Sequence, residues 1–322
     1  MTITMPDIKT LRIGVLCGGH SPERPGSIAS GEAASKALAE AGLTTELIDM
    51  ADTPLSSLRD RIDVALLGLH GLGGEDGKIQ GALDTLGIPY TGSGVMASAI
   101  GMHKPTFKTL LTRDSLDTPR WVMRHPKVSV ESTISSVRLT LGFPVFVKPS
   151  SGGGSLSAGI AHDANELRVL LTPADGEPYA EFMIEEYVQG IPCTVGLIEM
   201  EGRLRTLPVH DVHTDRAFYD YRAKHDPAQR TEHCPSILPT PTTESMQYMA
   251  RRVHQILGAH GVLRVDFMVG PNNRTVILEA NTLPGLSTRG NLATMARAGG
   301  IAYPDLIQHI VRTAFTKPGY LP

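Results

Sequence analysis

The segment Arg264–Gly285, RVDFMVGPNNRTVILEANTLPG, constrains the fold most tightly, because it reads as a hairpin with polar groups set into an apolar frame. Asp266 interrupts the apolar run Val262–Val269, and a second run, Thr275–Ala280, carries Glu279 and leads into Asn281. Between them Pro271, Asn272 and Asn273 supply turn residues, since proline fixes φ and asparagine tolerates left-handed conformations. Side chains two apart on a strand face the same way. Glu279 and Asn281 therefore point together, and Asp266 can face them across the ladder. Two carboxylates and an amide oxygen form a hard oxygen cluster, suited to Mg²⁺ bridging phosphates. The competing reading is a solvated hairpin face, which these residue types alone do not exclude.

Length and composition set wider limits. At 322 residues the chain exceeds one ordinary domain, so two or three are expected. A net charge of −3, with 41% hydrophobic and 20% charged residues, fits a globular protein and argues against a nucleic-acid or membrane surface. The first residues, MTITMPDIKTLRIGVL, lack a basic stretch followed by a long apolar core, and no apolar run approaches a membrane span. Cys17, Cys193 and Cys234 are odd in number and far apart, as reduced thiols are, so the expected compartment is the cytoplasm.

Strand and helix signals alternate at first. Leu11–Cys17, Thr44–Asp49 and Val64–Leu69 read as strands, with helices over Ser30–Ala41 and Gly77–Leu86 and a short strand at Pro89–Thr91. That rhythm indicates a parallel α/β sheet, which binds ligands beyond its carboxyl ends. A helix from Lys104 to Leu111 opens a different region, with strands at Phe143–Lys148, Gly159–Ala161 and Phe182–Tyr187 and a helix at Ala164–Leu171. From about Pro192 the pattern is hairpins, a long polar loop around His213–Gln229 and a helix over Thr243–His260.

Three glycine clusters punctuate these elements. Gly18–Arg24 follows the first strand, where backbone N–H groups can face an anion and Glu23 can fix an ammonium. His70–Gly77 follows the third strand, and four glycines in it demand unusual dihedrals or close backbone approach. Lys148 then ends a buried strand and leads into KPSSGGGSLSAG. Its lysine can neutralise phosphate, while Gly152, Gly153 and Gly154 offer N–H groups unobstructed by Cβ. No Walker A pattern is present. Lys104 is a second candidate phosphate cation, and Glu185-Glu186-Tyr187-Val188 ends a strand where adenine can be received.

Together these motifs resemble the ATP-grasp superfamily, and within it the D-alanine–D-alanine ligase family. The resemblance runs from about Arg12 to Val311 and rests on GGHSPER at 18–24, the long stretch 69–104, VKPSSGGGS at 147–155, EEYVQG at 185–190, FYDYRAKH at 218–225, and RVDF with LEANTLPG at 264–285. It implies three domains clasping ATP: an N-terminal parallel α/β domain over 1–103 and two α+β domains over 104–191 and 192–322. It implies two Mg²⁺ (Mn²⁺ being possible) on Asp266, Glu279 and Asn281. Phosphates would be met by Lys104, Lys148 and Lys224 under the loop that includes Gly153, Gly154 and Ser155. The implied reaction joins two D-amino acids through an acyl phosphate, releasing ADP and phosphate. Arg264 and the Gly285 amide would stabilise the tetrahedral oxyanion, Glu23 would hold the first ammonium, and His70 would lie beside it. A homodimer is implied on the same basis, and the partners otherwise are small-molecule amino acids.

Departures cluster at substrate contacts. His225 follows Lys224 where the family carries tyrosine, and Gly154 stands at the clamp serine. Gly290 stands where a serine binds the second carboxylate, with Arg289 and Asn291 as new polar neighbours, Pro192 replaces a ribose-binding glutamate and His103 an aspartate. An imidazolium at His225 would repel an incoming ammonium and tolerate a hydroxy acid such as D-lactate, as in related vancomycin-resistance ligases. The alternatives to a D-alanine ligase are therefore a diverged paralogue coupling other amino acids or a D-hydroxy acid, and a nucleotide-binding protein without catalysis.

Overall fold

A computed structural model of the chain describes residues 6–153, 157–172, 181–213 and 231–318. The first region contains β1 (Ile13–Cys17), α1 (Arg24–Glu40), β2 (Thr45–Asp49), α2 (Leu58–Arg61), β3 (Val64–Leu67), α3 (Lys78–Leu86) and α4 (Val95–Met102). β1 lies between β2 and β3, parallel to both. Every residue of IGVLC and VALL is buried, as a parallel sheet covered on both faces requires. The strand expected at Pro89–Thr91 is reduced to a parallel bridge between Ala65 and Tyr90. α1 begins six residues before the expected Ser30. Pro25 is the reason: its fixed φ suits the first helical turn, where its missing N–H is not needed.

The middle of the chain forms α5 (Lys104–Arg113), β4 (Trp121–Arg124), α6 (Val130–Thr140), β5 (Val145–Pro149), β6 (Gly159–Ala161), α7 (Ala164–Leu170) and β7 (Phe182–Glu186). The four strands make an antiparallel sheet in the order β4-β7-β5-β6. Val145, Val147 and Ile184 pack with Ile134, Val137 and Leu167 of α6 and α7. The alternate residues Phe146, Lys148 and Glu185 consequently point to the opposite face.

The last region contains β8 (Ile191–Met200), β9 (Arg203–Thr206), β10 (His210–His213), β11 (Thr231–His233), α8 (Thr240–Leu257), β12 (Val262–Val269), β13 (Thr275–Asn281), α9 (Asn291–Ala298) and α10 (Tyr303–Thr313). Its six-stranded antiparallel sheet runs β11-β10-β8-β12-β13, with β9 paired to β8. Met246, Met249, Ala250, Val253 and Leu257 repeat at helical spacing and form the buried stripe of α8. They pack with Val195, Leu197, Leu263, Val265 and Phe267, each such large side chain contributing about 1.5–3 kcal/mol. Thr194, Arg264 and Asp266 occupy the other face, toward the four-stranded sheet.

Candidate active site

The hairpin turn forms where Asn272 and Asn273 adopt positive φ, at 56° and 60°, and β12 and β13 pair with Arg264 opposite Asn281 and Asp266 opposite Glu279. All four side chains thus share one face. Strict alternation would also put Ile277 on that face, since it lies two residues from Glu279. A bulge after Asp266 leaves Leu278 as an extra residue, so Ile277 pairs with Phe267 in the core while Glu279 turns to the cleft. Bulges of this kind re-aim side chains beside functional sites.

Within the cluster Arg264 forks onto Asp266, Nε to Oδ1 at 2.9 Å and Nη2 to Oδ2 at 2.8 Å. Burial alone would lower the affinity of Arg264 for its proton, but the Asp266 carboxylate outweighs it and raises the pKa. Thr194 donates to Asp266 Oδ1 at 2.6 Å, and Asn281 Oδ1 accepts from the Leu283 amide at 3.0 Å. Glu279 Oε2 lies 3.8 Å from Lys104 Nζ. The donor set is all oxygen, with two carboxylates facing a single guanidinium. It fits a hard divalent cation.

Lysines line the opposite wall. Lys148 Nζ lies 2.9 Å from Glu185 Oε2, and Lys108 Nζ lies 2.6 Å from Oε1 of the same carboxylate. Burial would raise the Glu185 pKa, but the two ammonium groups hold it below the usual range. Burial pushes Lys108 down to about 8. Burial also lowers Lys104, against the pull of Glu279, and its Nζ donates to the Gly152 carbonyl. Glu185 is thus committed to lysines rather than open to a nucleobase. Glu186 is likewise held, by Arg120 at 2.8 Å and Arg274 at 2.9 Å. Glu186, Tyr187 and Val188 line the cleft beside Lys148.

The three glycine loops converge on Glu23. A Cβ at Gly71 would stand 2.7 Å from Glu23 Oε1, and one at Gly153 would stand 2.9 Å from the same oxygen. Burial, with Glu75 nearby, raises the Glu23 carboxyl above its ordinary pKa, while His70 and Lys104 oppose that shift. His70 Nε2 sits 3.0 Å from Ser30 Oγ, which also accepts the Leu286 amide at 3.1 Å. Glu75 Oε1 lies 3.6 Å from His70 Nδ1. Gly285 is beside this pair, its direction of Cβ open to His70 Nε2 and Ser30 Oγ at 3.8 Å. Gly290 caps α9, Asn291 opens that helix and lines the cleft, and Arg289 is exposed. Gly154, Ser155, Lys224 and His225 lie outside the described residues.

Four residues at this site escape the sequence reading: Ser30, Glu75, Lys108 and Thr194. A helix starting at Arg24 places Ser30 two turns from Glu23, on the same side; starting it at Ser30 hides that. Lys108 follows Lys104 by four residues on the buried stripe Lys104, Phe107, Lys108, Leu111. A lysine inside an apolar stripe was the available signal.

A D-ala D-ala ligase C-terminus model matches residues 110–312, and a D-ala D-ala ligase N-terminus model matches residues 49–93. The D-alanine--D-alanine ligase of Geobacter sulfurreducens is 36% identical over 320 residues, 98% of each chain. That of Methylococcus capsulatus is 36% identical over 94% of this chain and 96% of its own. Among solved structures, the ligase from Bacillus anthracis superimposes with a TM-score of 0.83 at 33% identity, covering 95% of this chain and 98% of that one. A complex of the Bacillus anthracis enzyme with ATP gives a TM-score of 0.79 at 30% identity, with the same coverage. The ATP-grasp fold expected from the sequence is therefore present, and the chain belongs to the D-alanine–D-alanine ligase family of ATP-dependent ligases.

Proposed function

We propose that this chain joins two molecules of D-alanine at the expense of ATP. The observation that carries the reading is the opposition of charge across one cleft: Asp266, Glu279 and Asn281 on one wall, Lys104 and Lys148 on the other. Phosphoryl transfer needs positioning and charge neutralisation rather than a covalent nucleophile, and the cleft provides both. Two Mg²⁺ (or Mn²⁺) held by Asp266, Glu279 and Asn281 would neutralise the phosphates and orient them. The carboxylate of the first D-alanine attacks the terminal phosphorus, giving an acyl phosphate and ADP. The amine of the second attacks the acyl carbon, and phosphate departs.

The remaining roles follow position. Glu23, close against two glycine loops, takes the first ammonium, whose positive charge offsets the upward push of burial and Glu75 on its carboxyl. Arg264 and the Gly285 amide meet the oxyanion where charge develops, with His70 beside them. Arg289, Gly290 and Asn291, around the start of α9, receive the second substrate's carboxylate. Glu186, Tyr187 and Val188 receive adenine, largely through their backbone where Glu186 is concerned. The family resemblance assigns Gly153, Gly154, Ser155 and Lys224 to the phosphates and His225 to the choice of acceptor, and of these Gly153 is among the described residues. The same reading assigns a cytoplasmic homodimer that supplies peptidoglycan synthesis, divided at 1–103, 104–191 and 192–322. Among the described residues no helix is long and apolar enough to cross a membrane.

A panel of D- and L-amino acids and D-lactate, incubated with ATP and Mg²⁺ and read as ADP plus product mass, tests this. D-alanyl-D-alanine as the dominant product is expected. An absence of coupling with D-alanine removes the reading, and a D-alanyl-D-lactate product would replace it with the depsipeptide one.

A further inference from the structure

The six-stranded sheet carries a second polar cluster on the face turned from the cleft. His210 and Val212 of β10 line the cleft, which turns Asp211 and His213 to the other side. In the pairing with β11, Asp211 stands opposite His233, so these three side chains share a face. Asp211 Oδ1 lies 2.9 Å from His233 Nδ1 and 3.3 Å from His213 Nε2. Its other oxygen, Oδ2, accepts from Ser236 Oγ at 2.5 Å and from the Ile237 amide at 3.1 Å. Those two bonds fix the carboxylate plane and leave Oδ1 to the imidazoles.

The two rings meet edge to face with centroids 5.1 Å apart. One ligand atom from each of the three residues lies within 4.8 Å of the other two. Asp211 is fully buried, whereas the His213 and His233 side chains are 34% and 30% exposed, which leaves an approach from solvent. His213 Nε2 is itself shielded and faces Asp211 Oδ1 at 3.3 Å, a contact that lacks hydrogen-bond geometry. A buried polar atom so poorly satisfied is costly, and a metal ion between the two would satisfy both.

We propose that Asp211, His213 and His233 bind a first-row divalent metal of the Zn²⁺ class, each through one atom, with solvent completing the shell. Imidazole pairs with a carboxylate suit Zn²⁺, Co²⁺ or Ni²⁺, whereas the all-oxygen hairpin suits Mg²⁺, so chemistry separates the two sites. Tetrahedral ligands at about 2.0–2.1 Å from zinc stand roughly 3.3 Å apart. The His213 to Asp211 spacing already has that value, and the His233 contact must open by about 0.4 Å to reach it. Ser236 and the Ile237 amide act as the outer partners that orient a ligating carboxylate. The bound ion would link β10 to β11, the strands that flank residues 214–230 in sequence.

The test uses the full chain with Mg²⁺ in excess to hold the hairpin. Zn²⁺ affinity is measured by competition with a chromophoric chelator, and Co²⁺ is followed by visible absorption. The expected result is one tightly bound Zn²⁺, with Co²⁺ ligand-field bands and no thiolate charge transfer. His213→Ala and His233→Ala should each weaken Zn²⁺ by about 100-fold and remove the Zn²⁺-dependent rise in Tm. Asp211→Asn, close in shape, provides the same comparison should an alanine variant fail to fold. Absence of Zn²⁺ binding, equal affinity in folded variants, or a thiolate charge-transfer band would overturn the proposal, leaving a hydrogen-bonded His–Asp–His cluster.

Discussion

The two walls of the cleft solve opposite electrostatic problems. On the hairpin, Asp266 and Glu279 face one guanidinium, so the wall keeps negative charge and is one-fifth to one-third exposed at its carboxylates. On the four-stranded sheet, Lys108 and Lys148 share Glu185, whose side chain is 3% exposed, and the wall keeps positive charge in a dry setting. A wet negative wall exchanges cations readily. A dry positive wall holds its charges through mutual pairing, because breaking a buried pair strands an ion. The difference predicts that changes on the hairpin damage turnover, whereas changes on the lysine wall damage the fold as well.

The largest effect should come from Asp266→Asn, which removes charge from the hairpin while keeping its shape. Turnover should fall by about 10³-fold or more, with little change in Tm; a variant retaining a tenth of wild-type turnover would break the comparison. Next, Lys108→Met should lower unfolding free energy by about 3–5 kcal/mol, because Glu185 loses half its compensation. Urea unfolding checks it, and an unchanged midpoint would show that the buried wall is not held by pairing. Gly153→Ala should be milder, raising KM for the first amino acid about tenfold as its Cβ crowds Glu23. Steady-state kinetics that show only an ATP effect would place Glu23 outside the amino-acid pocket.

The smallest effect on turnover concerns Glu199, away from both walls. His260 Nδ1 lies 2.9 Å from one of its oxygens and His254 Nε2 lies 3.4 Å from the other. Burial would raise this carboxyl, but the two histidines lower it to about 2. Its folded-state value is below the unfolded one near 4.5, so its contribution is complete above that pH and fades as pH falls toward 2. Wild type should lose stability across that window more steeply than Glu199→Gln. Parallel curves would contradict the assignment.

The hairpin was readable in sequence because strand alternation and turn chemistry are local: Asp266, Glu279 and Asn281 follow from period two. The bulge at Leu278 was not, because it satisfies a demand of the distant α8 core that Ile277 be buried. Lys104 and Lys148 were legible at element ends, whereas the sharing of Glu185 between Lys148 and Lys108 depends on packing α5 against β7. Ser30 was lost with the helix start, which the structure places at Arg24, with Pro25 in the first turn. The Asp211, His213 and His233 grouping could not be read at all, since β10 and β11 pair across residues 214–230.

The most direct test of the opposed walls is D-alanine-dependent ADP formation as a function of free Mg²⁺, in wild type and Glu279→Gln. No turnover after chelation, full recovery when Mg²⁺ is restored, and a shift of the variant to higher Mg²⁺ are expected. Turnover that persists under chelation, or one Mg²⁺ dependence shared by both proteins, would contradict it.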